Sequence, residues 1–296
     1  MASSVTSAPV GHKLPTGPGI AIRPLIGVVA VLLGAVISTL AGRLTAFGLA
    51  DMRGAVHAGF DEGAWIPTAF TVGQMLVGPV SVWLGMVFGP RRVLMVSGTI
   101  FLVSNLLLPY SSDLPTILAF QTISGLASGT FIPLTIGFVT QKLPTRFVIY
   151  GVAAYSMNLE LSLNISASLE GWFVDHWSWQ WIFWDTVLLM PLMLTCIHFG
   201  MPRQTLNRSL LKGADWWGML YASLGLSAIY AALDQGNRLD WLQSGIINGL
   251  LLAGAILIAA FVVRELTHDR PWLNLRFVIR GNFPLLMFYI VSLVSG

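Results

Sequence analysis

Apolar runs of about 20 residues recur along this chain, and nearly all of its lysines and arginines fall in every second gap between them. The runs are 25–47, 64–87, 93–109, 115–139, 147–172, 181–200, 216–233 and 245–263. Each reaches or nears the ~20 residues an α-helix needs to cross ~30 Å of hydrocarbon. A ninth run starts at Phe283 and extends to Gly296, short of the ~17 residues of a span.

The loops set the orientation. With the N-terminus in the cytoplasm, thirteen of the sixteen Lys and Arg residues lie inside, among them Lys13, Arg91, Arg92, Arg203, Lys212 and Arg270. Only Arg43, Arg53 and Arg238 lie outside or at the outer end of a span. Cytoplasmic loops retain positive residues, so this bias selects the N-terminus-inside topology. If one weak run such as 93–109 were buried without spanning, every later loop would invert and the alternation would vanish. Eight spans are therefore expected.

Charged residues make up 10% of the chain, against roughly 25% in soluble domains. The net charge of +3 follows from the loop bias, and nothing points to nucleic acid. The single cysteine, Cys196, sits in a span, cannot form an internal disulfide and reads as a packing residue. No zinc or haem spacing is present, and no metal or other cofactor is expected. Residues 1–22, rich in Ser, Pro, Gly and Thr, predict a disordered cytoplasmic tail rather than a cleaved signal.

Small residues four apart predict close helix packing at Gly125 and Gly129, and again at Gly245, Gly249 and Ala253. Pro67, Pro79, Pro133 and Pro191 fall within spans and predict bent helices. Trp172, Trp177, Trp179, Trp181 and Trp184 gather at the outer ends of runs five and six, as an aromatic belt at the headgroups.

Three stretches carry a family resemblance. In 171–184, Gly171 and Asp175 precede Trp179-Gln180-Trp181-Ile182-Phe183. This is similar to the Gly-Gly-x-x-x-Asp and Trp-Arg-Trp-x-Phe elements between helices five and six of the major facilitator superfamily. Stretches 232–241 and 265–277 resemble the segments after helix seven and before helix nine in its fourteen-span drug:proton antiporter branch, the EmrB/QacA type. The resemblance implies an all-α polytopic membrane protein. Its parts would be a tail (1–22), an N-terminal six-helix domain (23–200), a linker with an additional helix pair (201–263), and a cytoplasmic loop with an incomplete ninth helix (264–296). It implies a secondary transporter, an exporter of small organic compounds or drugs, of which this chain is a fragment. The alternative is a membrane sensor or assembly subunit that keeps the fold without transport. The partners implied are the lipid bilayer, a small-molecule substrate, and a periplasmic adaptor protein with an outer-membrane channel. No enzymatic chemistry is expected, since no span carries paired carboxylates or clustered histidines.

The departures from the branch are specific. Ala41 stands where helix one normally carries an Asp, with Arg43 two residues on. In the loop between helices two and three, Gly89, Arg91 and Arg92 match the family pattern, whereas Val82 and Met86 replace a Gly and the Asp. Gln121 replaces an Arg ahead of Gly125, and 166–171 lacks the Gly-Pro-x-x-Gly-Gly ending of helix five.

What this chain has instead is a mid-span carboxyl, Glu160, on one helical stripe with Ser156 and Asn164. Membrane-embedded charge is costly and marks functional positions. The stripe reads as a wall of the transport cavity with Glu160 binding a proton or cation, or as a structural carboxyl within the bundle. Gln74 and Gln121 are further cavity candidates, although Gln74, like Asn105, also reads as an interhelical hydrogen bond. Arg43, Glu170 and Asp185 lie toward the outer ends of their spans, either as an ion pair closing the cavity or as side chains reaching the headgroups.

Overall fold

The computed structural model describes residues 22–143 and 145–268. The expected tail, except Ile22, and the run from Phe283, with Lys13 and Arg270, lie outside them. The described residues form helices and no strand. In order they are α1 (Ile22–Phe47), α2 (Leu49–Ala55), α3 (Phe60–Gly63), α4 (Trp65–Phe88), α5 (Pro90–Leu107), α6 (Leu114–Ser128) and α7 (Phe131–Lys142). Then follow α8 (Thr145–His176), α9 (Trp181–Gly200), α10 (Ser209–Lys212), α11 (Trp216–Gly236) and α12 (Gly245–Thr267).

Seven stretches among the described residues are long and apolar enough to cross a membrane: Leu25–Phe47, Phe60–Phe88, Pro90–Tyr110, Leu114–Gln141, Trp181–Gly200, Trp216–Gly236 and Gly245–Thr267. Such a chain is a multi-pass membrane protein. The expected eighth, 147–172, differs. It lies within α8, whose 32 residues reach ~48 Å but carry too many polar side chains to qualify. Run 93–109, read as a weak one, does qualify as part of Pro90–Tyr110.

Helix α1 is the hub, packing against α7, α8 and α9. One apolar core joins it to its neighbours through Ile37, Phe101, Phe131, Met190 and Met193, all fully buried. A second core, at the end of the bundle where α1 finishes, joins Leu44, Met52, Ile66, Leu108 and Ile182. Cys196 is unpaired and packs against the first core.

In lipid, helices associate through close packing rather than hydrophobic transfer, and α4 against α6 shows this. A Cβ added at Gly125 would lie 2.0 Å from the Phe70 carbonyl oxygen, and one at Gly129 2.8 Å from that of Gln74. Gly73 answers from α4, where a Cβ would meet the Thr122 carbonyl at 2.5 Å. The expected single helix over 115–139 is broken after Ser128. Pro133 has no N–H to bond the carbonyl four residues earlier, which weakens the helix there. At Gly245 and Gly249 the expected close contact is not formed among the described residues, where nothing lies within 4 Å of an added Cβ. The close contact between α11 and α12 runs instead through Gly225 and Gly254, with a Gly254 Cβ only 3.3 Å from the Gly225 carbonyl.

The α4–α5 turn is built on Gly89, at φ +86°, a region that L side chains rarely adopt. Pro90 then starts α5 with a preset φ. The segment after α9 docks beneath this turn: Arg91 donates to the Met201 carbonyl at 3.2 Å and Asn207 N–H to the Val87 carbonyl at 2.9 Å. Trp83 meets Trp216 edge-on at 5.0 Å, fastening α4 to α11. Trp172, Trp177, Trp181 and Trp184 form one cluster, with Trp177 4.6 Å from Trp172 and 4.2 Å from Trp181, while Trp179 packs on Phe183.

Candidate functional site, a polar cavity among apolar spans

A cavity of about 470 Å³ opens between α1, α4, the start of α7 and α11. Helix α1 contributes Ser38, Thr39, Gly42 and Arg43; α4 contributes Phe70, Thr71 and Gln74; α11 contributes Tyr230 and Asp234. Ser38, Thr39, Gly42 and Arg43 fall within one and a half turns, so they share a side of α1. Gln74 lies nine residues into α4, roughly 14 Å from its start, so the cavity extends from the end of the bundle where α4 begins toward its middle.

Arg43 is exposed to this cavity and has no carboxylate within ion-pair distance among the described residues. Gln74 donates to Ser38 and Ser128, each at 3.1 Å, tying α1, α4 and α6 together at the cavity floor. It is thus both an interhelical bridge and a cavity residue. Asp234 accepts from the Thr68 hydroxyl at 2.5 Å and the Gln235 amide at 3.1 Å. Gln235 also bonds the Thr68 hydroxyl and the Ala64 carbonyl, and accepts from Arg238 at 2.7 Å. Arg238 in turn pairs with the exposed Asp61 at 2.9 Å. This chain of bonds fixes the C-terminal end of α11 on α4.

Asp234 was not singled out by the sequence, which ends the seventh run at residue 233. The signal available was the four-residue spacing of Tyr230 and Asp234, which puts both on one helical face.

On α8, Glu160 sits at the midpoint of the helix. Ser156, Glu160 and Asn164 are all exposed, as are Ala153 and Ala167 on the same stripe. Asn164 donates to the Glu160 carbonyl at 2.7 Å, so its amide is engaged within the helix. The opposite side packs inward: Asn158 donates to the Leu32 carbonyl of α1 at 2.9 Å, and Ser162 and Ser166 are buried. None of the stripe lines the Arg43 cavity.

The other candidates scatter. Gln121 is buried and bonds Thr45 of α1 at 3.3 Å, outside the cavity lining. Asn105 bonds the Ser124 hydroxyl at 2.8 Å, joining α5 to α6. Ala41, in the place of the family Asp, is buried. The structure does not bring Arg43, Glu170 and Asp185 together. Glu170 has Asp51 and Asp175 as its charged neighbours, and Asp185 accepts from the Thr186 N–H at 2.5 Å.

The N-terminal end of α11 holds a charge clamp that sequence reading passed over. Asp215 caps the helix, accepting from Gly218 N–H at 3.0 Å, and pairs with Arg264 of α12 at 2.5 Å. Its side chain is fully buried. Burial pushes the carboxyl up, but the Gly218 hydrogen bond and the Arg264 guanidinium outweigh it and hold the group below the ordinary carboxylate range. A depressed pKa gives stability that is present above the unfolded value and lost as pH falls through the folded one. Asp215→Asn is expected to cost about 1–3 kcal/mol near neutral pH. Thermal melts should show the gap between the two proteins closing below about pH 4. An unchanged melting point at neutral pH would mean the clamp adds no stability.

Residues 31–296 match the family model of the Major Facilitator Superfamily. The chain belongs to that superfamily. Within this family of transporters it is 27% identical over 258 residues to the probable multidrug resistance protein EmrY of Escherichia coli strain K12, covering 87% of this chain and 50% of that protein. It is 28% identical over 232 residues to the multidrug export protein EmrB of Haemophilus influenzae, covering 78% and 45%. The chain thus spans about half the length of the curated relatives it matches. Among solved structures, a D-xylose-proton symporter superposes with a TM-score of 0.54 at 10% identity, over 82% of this chain and 67% of that one. At that identity the likeness is one of fold alone.

Proposed function

We propose that the full-length protein is a secondary transporter of the bacterial inner membrane that exports small organic compounds, with its N-terminus in the cytoplasm. The observation that carries this is the 470 Å³ cavity among apolar spans, with the exposed Arg43 on its wall. A charge placed there is costly unless it faces water or a ligand. The loop charge bias supports the orientation, and the names of the relatives support export. On this reading residues 23–200 form one six-helix half and 201–263 the linker and extra helix pair, with α8 as the eighth span. Its polarity suits a helix that lines water rather than lipid. Alternating access needs a second half facing this one. The protein acts by binding and moving its substrate rather than by reacting with it. A periplasmic adaptor and an outer-membrane channel are the partners such an exporter takes.

The second reading, a sensor or assembly subunit without transport, is favoured by Ala41 and Gln121. Both stand where the branch carries charge, and both are buried as packing residues. Transport separates the two readings. In the full-length protein with Cys196 and any other native cysteine replaced by Ser, a cysteine at Thr71 is expected to react with a water-soluble thiol reagent. Labelling should remove most of the drug flux into liposomes, and substrate should slow it. Absence of saturable flux in the unlabelled protein would favour the sensor.

A further inference from the structure

A groove of about 560 Å³ runs along the outside of the bundle between α4, α5 and α6. Its walls include Leu84 and Phe88 of α4, Val96 and Ile100 of α5, and Leu126 of α6. Val96 is 61% and Ile100 43% exposed, so this surface is turned away from the core. Two hydroxyls reach it, but Ser97 and Thr130 are engaged with each other at 2.9 Å and with the carbonyls of Val93 and Ala127. The groove therefore offers a ligand little but apolar contact along its length.

One end is different. Arg92 lines the mouth and is exposed, while its neighbour Arg91 is engaged with the Met201 carbonyl. Among the described residues no carboxylate lies within ion-pair distance of Arg92. From Arg92 to Ile100 is eight residues, roughly 12 Å along α5, close to the ~15 Å depth of one hydrocarbon leaflet. A guanidinium at the interface above an apolar trough of leaflet depth has the shape and charge of a phospholipid site. Basic pockets between spans recognise anionic headgroups.

We propose that this groove holds an anionic phospholipid of the leaflet on the Arg92 side, its phosphate on Arg92 and one acyl chain between α4 and α5. The medium around spanning helices supplies the occupant, and the free guanidinium selects its charge. In the topology proposed above this is the cytoplasmic leaflet, but the site depends neither on that orientation nor on transport.

Native mass spectrometry of the detergent-purified full-length protein tests this with phosphatidylglycerol and phosphatidylcholine of identical acyl chains. Wild type should retain more phosphatidylglycerol. R92Q should lower that retention about five-fold, the worth of one arginine at an anionic surface, and leave phosphatidylcholine unchanged. R92K should keep most of the preference, which separates charge loss from misfolding. V96W, filling the trough, should lower retention of both lipids. Equal retention of the two lipids by wild type, an unchanged preference in R92Q, or displacement of phosphatidylglycerol by inorganic phosphate alone would overturn the proposal.

Discussion

Replacing Gly125 by Val is expected to abolish accumulation of folded protein, and Gly125→Ala to come close to doing so. The Cβ itself is the obstacle, since it would lie 2.0 Å from the Phe70 carbonyl oxygen. That neighbour is backbone and cannot rotate away. Helices α4 and α6 would have to separate along the contact that Gly73, Gly125 and Gly129 form, taking the buried Phe70 with them. Overpacking typically costs about 1–3 kcal/mol and more where backbone has to move, and in a membrane no apolar transfer term offsets lost packing between helices. Gly249→Val is the control, because no atom of the described residues lies within 4 Å of its added Cβ. Size-exclusion profiles of the three variants should show a monodisperse peak for Gly249→Val alone. A normal peak for Gly125→Ala would mean that α4 and α6 do not touch at that depth.

The two glycine motifs show where sequence reading reaches and where it stops. Gly125–Gly129 and Gly245–Gly249 have the same spacing, yet only the first pair is pressed against a neighbouring backbone. Small residues permit close approach, but whether a helix lies opposite depends on the rest of the bundle. The spans were legible because in lipid every backbone polar group must be bonded within its own helix, so an apolar run of sufficient length has one solution. Boundaries set by tertiary bonds were not. α11 continues past Leu233 because Gln235 is buried against Ala64 and Thr68, about 170 positions earlier in the chain. That continuation carries Asp234 to the cavity. Arg43, Glu170 and Asp185 were grouped because their depths match, but equal depth does not set which way each helix faces. Asp215 and Arg264 sit at the edges of their runs, where a charge reads as loop. In the structure they clamp the helix pair.

Loss of proton-driven flux on Glu160→Gln is the second large effect expected. Glu160 is at the middle of α8, on a stripe that no described residue covers, while Asn158 on the other side is bonded to α1. If that stripe faces a second half across a water-filled path, Glu160 meets water when the path is open and is enclosed when it closes. A carboxyl alternating between the two can release a proton in one state and take it up in the other. The amide has nearly the same shape and cannot ionise, so it preserves folding and membrane level and removes only coupling. Glu160→Asp, which shortens the side chain but keeps the acid, should retain part of the flux. The direct measurement is uptake of a drug into liposomes holding the full-length protein, across an imposed pH gradient, for wild type and both variants. Wild-type flux that rises with the gradient, background flux for Glu160→Gln at equal protein level, and intermediate flux for Glu160→Asp are the predicted results. Wild-type rates and an unchanged pH profile in Glu160→Gln would contradict the account and make the carboxyl a structural one.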